Sequence, residues 1–235
     1  MKKHIIIAVA MLAAMSCSRS EGGFSKQEVA VLDSAYSIMR VLTIEDPADL
    51  MTLSAVSRDF SAEALLSEDF TRLSELMVAT VTHPSQDGVG IAGPQVGLSR
   101  RVVAVQRFDK EPVMNASGKM DYPFEVYPNI RTVCLSDSTA YGAEGCLSVP
   151  DMRADVLRST EVVVEYADIQ QLKVNRLRHS SHAISNKSLN SSTLAKRKST
   201  KENIPMVRDT VSGFTAVIFQ HEIDHLEGIL YIDRL

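Results

Sequence analysis

Gly213-Phe-Thr-Ala-Val-Ile-Phe-Gln-His-Glu-Ile-Asp-His-Leu226 carries more of the character of this protein than any other stretch. Its first half is apolar on nearly every side, and a helix of that kind is normally buried. His221 and His225 stand four residues apart within it. On a helix that spacing puts both imidazoles on one face, about one turn apart, with Glu222 beside them, so that both can reach one metal ion. Two surface histidines on an ordinary helix are the plainer reading. Against it, imidazoles set among Ile and Phe side chains carry a desolvation cost unless something satisfies them. A catalytic site of this type takes three protein ligands and keeps one position open. Downstream of His225 only Glu227 and Asp233 offer carboxylates, neither at the distance usual in zinc proteases. A cysteine is the better candidate. Cys146 lies in Glu144-Gly-Cys-Leu-Ser148, where the adjacent glycine lets the backbone approach closely. Cys134, in Thr-Val-Cys-Leu, reads as a small core residue. A Cys134–Cys146 disulfide is the alternative if the chain is exported, and it would leave the histidine pair without that ligand.

Working outward, Ser25-Lys-Gln-Glu28 is a capping box, followed by Val29, Val31, Leu32, Ala35 and Met39 at helix-like spacing, with Pro47 ending or interrupting the element. A second helix is predicted from about Ser61 to Val81, with Leu65, Leu66, Phe70, Leu73, Leu76 and Met77 as a plain core face. The loop Asp87–Gly97 follows, and Arg101–Gln106, Glu125–Tyr127 and Glu161–Tyr166 read as strands. Helices around several short antiparallel strands, enclosing a buried helix with the His-Glu-x-x-His motif, predict an α+β domain.

Composition narrows the class. The 235 residues are 45% hydrophobic and 23% charged, which is ordinary for a globular chain and excludes a wholly disordered or fibrous one. Three cysteines are too few for a disulfide-built scaffold. Lys2 and Lys3 precede an apolar run from Ile5 to Met15 and then Ser16-Cys17, which reads as an export signal over residues 1–16. Ala14-Met-Ser-Cys17 resembles a bacterial lipoprotein box, in which Cys17 is lipidated and anchors the protein to a membrane; an ordinary cleaved signal is the alternative. Residues 17–35 then serve as tether and N-terminal extension, and residues 36–235 as the catalytic domain. Residues 171–201 hold eight Lys/Arg, seven serines and no acidic residue, leaving the remainder of a chain of net charge −4 at −12. This basic, Ser-rich insertion, placed at about 171–209, is expected to be a solvated loop. It lacks the interleaved aromatics of a nucleic-acid surface, so no nucleic-acid partner is expected.

Three separated motifs, Gly88–Gly97, Glu144–Ser148 and Gln220–Gly228, resemble those of the peptide deformylases in order and position. The likeness extends to Val149-Pro150, to Arg153 and to the 61–81 helix, and covers roughly residues 36–170 and 210–235. It implies that Cys146, His221 and His225 bind one divalent metal ion, Fe2+ foremost and Zn2+ or Ni2+ as alternatives. Glu222 is then the general acid/base acting on a metal-bound water, and Gln95 with the backbone N–H of Leu147 holds the oxyanion. Val89, Gly90 and Gly145 match positions whose backbone pairs with the peptide. The implied substrate is a formyl-methionyl N-terminus, taken by a monomer. A membrane-tethered peptide-binding protein, or a different amidase on the same fold, is the alternative. Two features depart from the family. Gly93 replaces its usual Ala and is expected to loosen the loop that aims Gln95. The export signal would remove the enzyme from nascent chains in the cytoplasm and direct it to formylated peptides or proteins beyond it; initiation at Met11 or Met15 would keep it cytoplasmic.

Overall fold

The computed structural model describes residues 23–114, 118–186 and 203–235, the backbone alone for 179–186. The expected signal, Cys17 with the following residues to 22, and residues 187–202 of the basic segment lie outside them. The helices are α1 (Lys26–Ser34), α2 (Pro47–Leu53), α3 (Ala62–Leu65), α4 (Glu68–Val81), α5 (Ile169–Asn186) and α6 (Gly213–Leu226). The strands are β1 (Gly90–Ala92), β2 (Val102–Gln106), β3 (Val113–Met114), β4 (Met120–Asp121) and β5 (Phe124–Pro128), followed by β6 (Arg131–Leu135), β7 (Thr139–Cys146), β8 (Val149–Ser159), β9 (Glu161–Ala167) and β10 (Met206–Ser212).

All named strand pairs are antiparallel: β1-β2-β5 and β10-β9-β6 form three-stranded sheets, and β3-β4 and β7-β8 form hairpins. The architecture is α+β. α1, α3 and α4 cover one side of the first sheet through Leu32, Leu65, Leu73 and Met77, joined by Phe60 from the segment before α3, and pack against Ile91, Val102 and Ala104. Between the two sheets runs α6, with Ala216, Phe219, Ile223 and Leu226 against Val103, Val105, Tyr127, Val162 and Val164. A smaller cluster packs Val149 and Val156 of β8 on Leu230 and Tyr231, the latter in a 3-10 turn (Tyr231–Arg234).

Several expectations change on sight of the structure. The capping box is formed, Ser25 N–H donating to Glu28 Oε2 at 2.7 Å and Glu28 N–H to Ser25 Oγ at 3.2 Å. The helix it opens stops at Ser34, and Met39 is nevertheless buried, its N–H bonded to Thr80 Oγ1 at 2.8 Å. Pro47 does not end that helix but begins α2, behind the Asp46 cap; a missing N–H costs nothing at the first helical position. The single helix expected over 61–81 is two, because Ser67 closes α3 and its Oγ accepts the Phe70 N–H at 3.2 Å as the cap of α4. The stretch 87–97 is not all loop: it holds β1 and a 3-10 turn, Gly93–Val96. The basic stretch expected as a loop over 171–209 is helical to Asn186 and becomes strand at Met206. Asp168 starts that helix by accepting the Gln171 N–H at 2.8 Å. Cys134 is exposed, not core, since β6 is an edge strand whose Val133 and Leu135 are exposed as well. Both Cys134 and Cys146 are free thiols, so the alternative disulfide is not formed.

Candidate metal centre and cleft

Three side chains from two distant segments converge. α6 carries His221 and His225, with ring centroids 5.1 Å apart. Cys146 ends β7 at a register shift in the β7–β8 hairpin, which turns its sulfur inward. Its Sγ lies 3.3 Å from His225 Nε2, and one ligand atom from each of Cys146, His221 and His225 lies within 4.8 Å of the others. A thiolate and two imidazoles at this spacing fit a tetrahedral ion, whose ligand bonds run about 2.0–2.3 Å, with one position left over. His225 is almost wholly buried, and burial, then the neighbouring His221 charge, hold it well below the usual histidine range, so its imidazole is neutral and its lone pair available.

Around these ligands the structure is polar and tightly bonded. His221 Nδ1 donates to Glu144 Oε2 at 2.7 Å, leaving Nε2 for the centre. Burial opposes a charge on Glu144, but the Arg158 fork and His221 outweigh it and hold the carboxyl down to about 2. Arg158 Nε and Nη2 reach Glu144 at 2.7 and 2.9 Å, and Nη1 reaches Asp224 Oδ2 at 2.6 Å. Glu222 is different. It is buried, its Oε2 has no hydrogen-bond partner among the described residues, and burial pushes its carboxyl up to about 7. Its other oxygen lies over Gly90, where an added Cβ would stand 2.4 Å from Oε1. Glycine is thus required at 90 for space, not for backbone angles.

Gln95 occupies the 3-10 turn beside the sulfur. Its Oε1 accepts the Ala92 N–H at 2.8 Å, which fixes the amide so that Nε2 points to Ser148 Oγ at 3.2 Å and Cys146 Sγ at 3.5 Å. Gly93 does not loosen this turn: a Cβ there would meet the carbonyl oxygens of Arg100 at 2.5 Å and Leu98 at 2.9 Å, so the chain has closed over the missing methyl.

A cleft of about 720 Å³ opens over the centre. Val89, Gly90, Gln95, Gly145, Cys146, Leu147, His221 and Glu222 all line it, so every site residue read from the sequence, apart from the deeper His225 and from Cys17, meets at this one cavity. Phe214, Val217 and Ile218 of α6 give it an apolar wall, and Asp87, Asp151 and Arg153 give it a charged mouth. Sequence reasoning missed Arg158, Asp224 and the 230–235 turn. Asp224 lies inside the histidine motif, where its place was the one available signal, whereas the burial of Arg158, and with it the need for a partner, is seen only in the fold.

A ligand triad of one half-buried sulfur and two buried imidazoles, flanked by a carboxyl with one oxygen unpartnered among the described residues and opening into a cleft, is the site of a metal-dependent hydrolase. Comparison makes the class specific. The family model for polypeptide deformylase matches residues 38–184 and 196–235. A peptide deformylase of Leptospira biflexa is 29% identical over 199 residues, covering 85% of this chain and 88% of that one. Peptide deformylase 1 of Vibrio vulnificus is 34% identical over 199 residues, with coverage of 85% and 87%. Among solved structures, the Met-Ala-Ser-bound class I type b peptide deformylase of Acinetobacter baumannii has a TM-score of 0.60 at 29% identity, covering 85% of this chain and all of that one. The chain belongs to the polypeptide deformylase family. Of the basic stretch, only residues 185–195 fall outside the family match.

Proposed function

We propose that this protein is a peptide deformylase that removes the formyl group from formyl-methionyl N-termini, using one divalent metal ion, Fe2+ foremost, held by Cys146, His221 and His225. The observation that carries the reading is the meeting of that ligand triad with the buried, unpartnered Glu222 carboxyl on one cleft. When bound, the metal supplies a Lewis acid that makes water a nucleophile at neutral pH. Glu222, with an affinity for protons near neutrality, takes a proton from the attacking water and returns it to the departing amine. Gln95 Nε2, aimed by the Ala92 N–H, and the backbone N–H of Leu147 hold the oxygen on which charge develops. β1 is an end strand of its sheet, so Val89 and Gly90 on one side and Gly145 on the other accept the peptide as an added strand. Phe214, Val217 and Ile218 take the apolar side chains. Ligands, base and cleft all come from one chain, which supports action as a monomer.

The reading is tested by formate release from formyl-Met-Ala-Ser beside acetyl-Met-Ala-Ser, with Glu222→Ala in parallel. Formate from the first substrate alone, lost in the variant, is expected; none with metal bound would overturn the activity and leave the peptide-binding or amidase alternatives. We further propose that the enzyme is exported and anchored through a lipid on Cys17, and meets formylated peptides outside the cytoplasm. The Lys2–Cys17 signal supports this, and labelling with a radioactive fatty acid, abolished by Cys17→Ala, tests it.

A further inference from the structure

The 3-10 turn Tyr231–Arg234 touches the metal centre by two separate routes. Tyr231 is buried and its ring stacks on His221, with centroids 6.0 Å apart and planes inclined by 24°. Arg234 grips Asp224 with a guanidinium fork, Nε reaching Oδ2 at 2.5 Å and Nη2 bonding Oδ1. From Asp224 an unbroken chain of bonds runs through Arg158 and Glu144 to His221 Nδ1. His225 has no such support: its Nδ1 makes no hydrogen bond among the described residues. Among the described residues, the hydrogen bonds that orient an imidazole from outside the ligand set therefore reach His221 alone, and both routes to it begin in this turn. The turn is itself braced by the Leu230 N–H bonded to Asp233 Oδ2 at 2.8 Å.

We infer that Tyr231 and Arg234 are positioning residues for the metal, fixing the ring of His221 by stacking and through the Asp224–Arg158–Glu144 relay. Arg234 is the outermost link, with its side chain 40% exposed, so it can be altered without opening a core cavity. Removing it leaves Asp224 with one guanidinium partner and frees Arg158 to shift toward it, away from Glu144. Groups in direct contact with a metal ligand, as Tyr231 is, commonly govern about 10–100-fold in metal affinity, and Arg234, acting through three intervening residues, governs less.

The inference rests on the metal-centre reading above, and the experiment separates the two. The full chain, freed of metal, is titrated with Co2+ against a competing chelator and followed by the visible absorption of the cobalt–thiolate chromophore, with Cys146→Ala as control. Tyr231→Leu is expected to raise the Co2+ concentration for half-occupancy about tenfold and Arg234→Gln by a smaller factor of about threefold, and both to alter the d–d bands. Arg234→Lys, which keeps the charge, should recover part of the loss, and Tyr231→Phe, which keeps the ring, all of it. Parent-like Co2+ affinity and bands in Arg234→Gln and Tyr231→Leu, even with a lowered Tm of the metal-free protein, would overturn the inference and make the turn merely structural. A parent protein showing no chromophore would overturn the metal centre itself.

Discussion

Glu222 is held against Gly90, and a single methyl group there tests whether its position matters. In Gly90→Ala the new Cβ would start 2.4 Å from Oε1 and 2.9 Å from the carboxyl carbon and Cγ of Glu222. Ordinary van der Waals contact begins near 3.4 Å, so the carboxyl must retreat by about 1 Å, and full burial leaves it little room. A reacting group misplaced by about 1 Å can lose on the order of 100-fold in rate, or about 2.7 kcal/mol of barrier. Complete loss of a general acid/base costs about 10²–10⁴-fold, so the variant should fall toward Glu222→Ala without passing below it. The residue-90 main chain is unchanged, so the loss should appear in kcat with KM within a few-fold of the parent. Initial rates of formate release from formyl-Met-Ala-Ser at saturating metal measure both constants. Circular dichroism and metal content establish that the fold and the ligands are intact. Gly90→Ala with parental kcat would refute the argument, since it would mean that the carboxyl does not act from where it lies.

Three further outcomes follow from the same structure. Restoring the methyl in Gly93→Ala drives a Cβ into two backbone carbonyls and should destabilise the protein by about 1–3 kcal/mol, read as a lower urea midpoint; a stabilised variant would mean the turn is slack after all. With metal bound and Cys17 replaced by Ala, a maleimide should label exposed Cys134 quickly and spare Cys146, and a chelator should expose the second thiol; equal labelling of both without chelation would argue against ligation. Glu28, Asp109 and Glu125 are all held below the ordinary carboxyl range. Arg107 does this for Asp109, while for Glu28 and Glu125 burial opposes the charge and Arg100 and Lys110 outweigh it. Depressed native values stabilise above the unfolded range near 4.5 and lose that contribution as pH falls through them. The urea midpoint should therefore fall as the pH drops below about 4.5; a flat profile across that acid range would contradict these ion pairs.

The centre was legible in the sequence because its chemistry needs rare residue types at fixed spacing. His221 and His225 announce a shared face, and an apolar helix around them announces burial. Cys146 could be chosen from three cysteines by its glycine neighbour, but only the fold shows its sulfur 3.3 Å from His225. Where hydrophobic pattern alone was read, tertiary context overrode it. Val-Cys-Leu around residue 134 looks like core and lies on an uncovered edge, because a strand's apolar residues are buried only if another layer exists to cover them. Likewise the apolar spacing over 61–81 continues through Ser67, while the hydroxyl there ends one helix and starts the next. The Arg158–Asp224–Arg234 relay was invisible for a different reason. Its members are separated by up to 76 positions, and nothing local in a charged residue tells whether it will end in water or in the interior.

Cys146 and His225 are 79 positions apart along the chain. An ion held by both ties off everything between them, β8, β9, α5, β10 and the basic stretch included, into a closed loop. In a protein with no disulfide among its described residues, the metal therefore doubles as a cross-link. Unlike a disulfide, the ion leaves when the chain unfolds, so its contribution grows with free metal by mass action, about 4.1 kcal/mol at a concentration 1,000-fold above its Kd. The catalytic ion would then also be a staple of the fold, and its oxidative loss would weaken the tie between hairpin and helix, leaving it to the Glu144–His221 and Arg158–Asp224 bonds, as well as silence the enzyme.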